Sequence, residues 1–62
     1  MSRHLLLIYE IKEKAAQVNS KKALKDFERW LKGLLRTYQD AALEQVAHIC
    51  LFGLRERFSF GH

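Results

Sequence analysis

The sequence predicts an all-α fold: a helical hairpin of a short N-terminal helix and a longer C-terminal one, with a bend allowed near 37–41, two copies pairing into a four-helix bundle. Three observations carry this. Apolar residues recur at helical spacing along most of the chain, the 62 residues contain no proline and only three glycines, and Asn19-Ser20 is the one clear turn signal before residue 37. With 48% hydrophobic residues the chain is also too apolar for disorder.

The first helix is expected from Arg3 to Val18. Leu5, Ile8, Ile11, Ala15 and Val18 step by 3, 3, 4 and 3, while Glu10, Lys12, Glu13 and Lys14 fill the other side. Ser2 is placed to cap it, and Glu10 four residues before Lys14 adds about 0.3 kcal/mol. The rival is a strand over Leu5 to Ile11, an apolar run containing β-formers.

Asn19 and Ser20 then turn the chain, and so short a connection leaves two helices antiparallel. From Ser20 to Tyr38 the pattern is at its most regular. Leu24, Phe27, Leu31, Leu34 and Tyr38 recur at steps of 3, 4, 3 and 4, with Leu35 widening the stripe. On the opposite side Lys22, Lys25, Arg29, Lys32 and Arg36 repeat the same steps. Ser20 is the expected N-cap.

After Tyr38 the strict repeat would select Ala41, Gln45 and His48, whereas the apolar positions are Ala42, Val46, Ile49 and Gly53. That is a stutter or a break. Thr37-Tyr38-Gln39-Asp40 has the form of a capping box, which allows a new helix near Tyr38. A plain 3.6 period nevertheless keeps Leu24 through Ile49 on one stripe, and a helix continuing to Arg57 is the expectation. Between Leu43 and Phe58 apolar residues surround the helix, which therefore needs cover on every side. Gly53, about 1 kcal/mol worse than alanine in a helix, marks a close contact or a local end. Residues 58–62 are expected to fray, with Phe58 and Phe60 able to dock.

Sixty-two residues make a single domain, close to the size below which a core needs help. One cysteine, Cys50, closes no internal disulfide, so self-association is the expected source of added burial. The predicted interface comprises Leu24, Phe27, Trp30, Leu31, Leu34, Tyr38, Val46, Ile49, Leu51 and Leu54. No targeting segment is visible: Glu10 ends the apolar run of Leu5 to Tyr9 too early for a signal peptide. Gln45 to Leu54 falls short of the roughly 20 residues that span a bilayer, and a reducing cytoplasm fits best.

The net charge of +4 is localised. Six basic side chains against Asp26 and Glu28 place it all between residues 21 and 36, because Arg3, Lys12, Lys14, Arg55 and Arg57 cancel Glu10, Glu13, Asp40, Glu44 and Glu56. The stripe of Lys22, Lys25, Arg29, Lys32 and Arg36 is the candidate site. It covers about 21 Å of helix axis and could meet several phosphates of a nucleic acid. An acidic protein surface, anionic lipid and a plainly solvated face are the alternatives. Two like-charge pairs four apart, Lys25 with Arg29 and Lys32 with Arg36, each cost a few tenths of a kcal/mol that neutral residues would avoid.

Trp30 flanks the apolar stripe, where interface packing is favoured over stacking on a base. His4, His48, His62 and Cys50 lack the four-ligand spacing of a structural zinc site, so no metal is expected. His48 reads as an interfacial polar residue within reach of Glu44, and Cys50 as a small buried apolar one. Without a phosphate loop or a nucleophile-base pairing, neither an enzyme nor a cofactor is expected. In length and outline the predicted hairpin is similar to the repressor-of-primer type of RNA-binding dimer, an analogy of outline carried by no motif.

These readings converge on a small regulatory protein that binds nucleic acid through a basic helix face. The alternative is a protein-interaction module, an inhibitor or assembly adaptor, whose apolar C-terminal segment meets another chain. Membrane docking of Cys50 to Phe60 is weaker, because the basic stripe and the excess apolar surface lie on different segments.

Overall fold

The computed structural model describes residues 3–59, with side chains from Leu5 to Phe58. Among the described residues the fold is all-helical, with three helices and no strand: α1 (Arg3–Ala16), α2 (Lys21–Tyr38) and α3 (Ala41–Ser59). Helix therefore prevails over strand at Leu5 to Ile11.

Helix α1 ends two residues sooner than expected. The Gln17 and Val18 amides donate to the Lys14 and Ala15 carbonyls at 3.1 and 3.2 Å, a tightened last turn, and Val18 is still buried beyond it. The Ser2 cap lies outside the described residues. Ser20 caps α2 as its position predicts: its backbone is extended and its Oγ accepts from the Ala23 amide at 3.1 Å.

The expected long helix is instead two. Gln39 adopts the left-handed conformation, φ 46° and ψ 53°, and its amide donates to the Leu35 carbonyl at 2.8 Å, closing α2. Asp40 then opens α3, its Oδ1 accepting from the Ala42 amide at 2.8 Å and the Leu43 amide at 3.2 Å. The capping function thus belongs to Asp40 itself. Thr37, the first residue of the expected capping box, uses its hydroxyl within α2, donating to the Gly33 carbonyl at 2.9 Å.

With the chain turning at Gln39-Asp40, the hairpin gives way to a three-helix arrangement and the outline of a two-helix dimer no longer applies. The core is built from all three helices: Ile11 and Val18, then Leu24, Phe27 and Leu31, then Leu43, Ala47 and Leu54. Ile11, Leu31 and Leu43 are fully enclosed. Leu43, Ala47 and Leu54 share one face of α3, so both α1 and α2 cover the segment that the sequence left without enough partners. Helix α1 packs more extensively on α3 than on its chain neighbour α2. Gly53 marks neither an internal contact nor an end, for α3 runs through it and a Cβ there would meet nothing within 4 Å. Of the tail expected to fray, Phe58 and Ser59 lie in α3 with Phe58 half-buried. Residues 60–62, with the docking expected of Phe60 and the side chain of His62, lie outside the described residues.

Candidate nucleic-acid interface

The apolar stripe of α2 sits against the core through Leu24, Phe27 and Leu31. Burial of that stripe forces the other side of the helix outward. Lys22, Lys25, Arg29, Lys32 and Arg36 are accordingly all exposed, and at 100° per residue they share a sector about 80° wide. The five form one ridge, rising about 5 Å from each cation to the next.

The two carboxylates of α2 stand on its flanks. Glu28 faces α3, where Arg55 donates from Nε to Glu28 Oε2 at 2.9 Å and places Nη2 2.9 Å from the same oxygen. Asp26 faces the α1 side, lining a shallow hollow with Lys14, Gln17 and Trp30. No acid therefore interrupts the ridge. Next to Arg29, Lys32 and Arg36 lies an open hollow completed by Gly33, Leu35 and, across the joint, Glu44 of α3. Gly33 is exposed with open space where a Cβ would be, leaving bare backbone beside the cations.

The local sequence pulls against this arrangement. The first turn of α2 contains Lys21 and Lys22 and no acid, so two cations lie at the positive end of the helix dipole, where acids would be stabilising. Arg36 in the last turn is favourably placed.

The residues predicted for an oligomer interface are distributed differently. Leu24, Phe27, Leu31 and Leu54 are buried in the core of their own chain, and Trp30, Leu34, Val46 and Leu51 pack partly buried against it. Tyr38 and Ile49 alone of that set stay largely exposed. The reason is simple: apolar periodicity identifies a covered face and is silent on which chain covers it. Trp30 stacks on Phe27 with ring centroids 6.0 Å apart, and Lys14 Nζ lies 5.1 Å from its ring centre. Its ring is thereby engaged within the chain, on the α1 flank away from the ridge.

His48 is exposed, and Cys50 is half-buried. Burial raises the Cys50 thiol pKa, opposed by the positive charge of Lys12, so the thiol stays protonated and weakly nucleophilic at neutral pH. Among the described residues no three His, Cys, Asp or Glu side chains gather as a metal site, and no helix is long and apolar enough to cross a membrane.

Sequence reasoning missed two features. The Glu28–Arg55 contact joins positions 27 apart in sequence, beyond any helical periodicity. An apolar surface containing Leu5, Leu6, Tyr9 and Phe52, each more than half exposed, also escaped it. No family model matches this chain, and no curated protein or solved structure matches it either.

Proposed function

We propose that the chain is a non-enzymatic, cytoplasmic regulatory protein that lays α2 along the phosphate backbone of RNA or DNA. One observation carries this reading: five exposed cations form a single ridge from which both carboxylates of α2 are turned aside, Glu28 by Arg55 and Asp26 toward α1, with Glu44 of α3 the one acid lining the hollow beside Arg29, Lys32 and Arg36. Phosphate contacts of this kind fix position and supply affinity without reading base sequence. The unfavourable like-charge spacing and the first-turn lysines fit a surface kept for an anion rather than for helix stability.

The test is a gel shift with mixed RNA and DNA probes. A Lys25→Glu, Arg29→Glu, Lys32→Glu variant, altered only at exposed positions, should keep its helical circular dichroism and fail to retard either probe. Retardation equal to that of the parent chain would overturn the proposal. Exposed Ile49 and Phe52 favour a second reading, docking of a protein on the side of the bundle away from the ridge.

A further inference from the structure

Among the described residues, and apart from Tyr38 near the end of α2, the large apolar residues left exposed lie on α1 and α3: Leu5 64%, Leu6 57%, Tyr9 76%, Ile49 71% and Phe52 66%. Helical spacing shows where they sit. On α1, Leu5 and Tyr9 lie just outside the edge that meets α3. Lys12, one turn beyond Tyr9, is close enough to influence Cys50, so Tyr9 stands at the level of Val46 and Ile49. On α3, Ile49 and Gly53 border the same seam, with Phe52 further out. The result is an apolar strip of Leu5, Tyr9, Ile49 and Phe52 along the outside of the α1–α3 pair, with Leu6 set further round α1. At about 200 Å² for a whole aromatic side chain, Tyr9 and Phe52 alone expose about 300 Å², already the size of the largest patch on many monomers.

We propose that this strip is where a second copy of the chain docks, giving a two-fold dimer through α1 and α3 with the two basic ridges on its outer sides. The area points to such an occupant. A folded monomer of 7.3 kDa should expose about 4,200 Å², whereas this chain exposes 5096 Å². The excess, about 900 Å² over the whole chain, leaves room for the roughly 800 Å² that each partner contributes to a stable interface. Charge points the same way. The ridge of α2 would repel another copy, whereas the strip carries Lys12 near its seam and Glu13 and Glu56 toward its two outer edges, charges of both signs that set up no such single-sign repulsion. Gly53 takes on a role here. Its Cβ position is open and it lies on the strip, where a second helix can approach its backbone closely.

Equilibrium sedimentation of the intact chain tests this, after nuclease treatment and in high salt so that no polyanion bridges two ridges. The expected mass is that of two chains, falling to one for Tyr9→Glu combined with Ile49→Glu, and unchanged for Lys25→Glu, Arg29→Glu, Lys32→Glu. A one-chain mass for the parent, or a mass above two, overturns the proposal. So does a dimer that survives the Tyr9 and Ile49 changes. Should that double variant lose its helical signal, the parent's melting temperature decides: it must rise with protein concentration if the folded state is a dimer, and a constant value refutes it. A dimer that fails to bind nucleic acid leaves this surface standing and removes only the function assigned to α2.

Discussion

Neutralising the ridge should separate binding from stability, because the two respond to it with opposite sign. Replacing Lys25, Arg29 and Lys32 by glutamine leaves Lys22 and Arg36 as the ridge's exposed cations. With five phosphates neutralised on duplex DNA, the logarithm of affinity falls with that of salt at a slope of about −4.5, a loss of about 500-fold between roughly 50 and 200 mM. With two it falls at about −1.8, a loss of about 12-fold over the same range. On single strands the parent's slope softens to about −3.5. Meanwhile the variant sheds the like-charge pairs Lys22–Lys25, Lys25–Arg29, Arg29–Lys32 and Lys32–Arg36, each unfavourable by about 0.2–0.5 kcal/mol. Favourable spacings of Lys32 and Lys25 with Glu28 and of Arg29 with Asp26 are also lost, as is the unfavourable Lys21–Lys25 pair, so the net gain is several tenths of a kcal/mol, or about 2–4 °C for a domain of this size. Fluorescence anisotropy with a labelled oligonucleotide at several salt concentrations gives the slopes, and thermal circular dichroism gives the stability. A slope that stays near the parent's, or a melting temperature that drops along with binding, would refute the reasoning.

Other positions give independent checks. Glu28→Gln releases Arg55 and removes a carboxylate flanking the ridge, so binding should tighten and the salt slope steepen by about 0.9 in the same anisotropy assay. Gln39→Gly relieves a side chain held at φ 46°; chemical denaturation should show a gain of about 1 kcal/mol. Leu43→Ala empties a fully enclosed core site at a cost of about 2–5 kcal/mol, enough to leave so small a domain largely unfolded by circular dichroism. Cys50 links stability to pH. Its folded pKa is raised, so the folded state holds the thiol proton more firmly than the unfolded state. That contribution is complete below the unfolded value of about 8.5 and declines as pH rises from there through the raised one. Cys50→Ala should flatten this alkaline decline in denaturation curves taken across that range.

Much of the molecule was legible in the residues alone. The Ser20 cap, the buried stripe of Leu24, Phe27 and Leu31 and the exposed cations all follow from period and local chemistry, which act within a few residues. The break at Gln39 did not. Left-handed C-caps are usually glycine or asparagine, and glutamine there gives no local warning; a 3.6 period runs through the joint undisturbed because Asp40 restarts a helix at once. Asp40 was visible, but as the far end of a capping box and not as the cap. Assigning apolar residues to a chain was the other blind spot. Leu31 and Leu54 have the same spacing whether a neighbouring chain or α1 covers them, and only the turn at Gln39-Asp40 brings α1 within reach. Glu28 with Arg55 was beyond sequence reasoning for the same reason.

The heavier contact of α1 with α3 than with α2 bears on how the chain reaches this state. The strongest pairing joins elements that are not adjacent in sequence, so it forms only after the whole of α2 has been looped out, at an entropic cost that local contacts do not repay in advance. Two helices joined by Asn19-Ser20 have little to hold them together until α3 arrives and completes the groove that Ile11, Leu31 and Leu43 fill. The α1–α2 hairpin is therefore expected to be largely unfolded on its own, which circular dichroism of a chain ending at Tyr38 would check. A nascent chain that has emerged only as far as Tyr38 carries the full basic ridge on a helix without its support, and the ridge acquires a fixed shape only when the last helix closes.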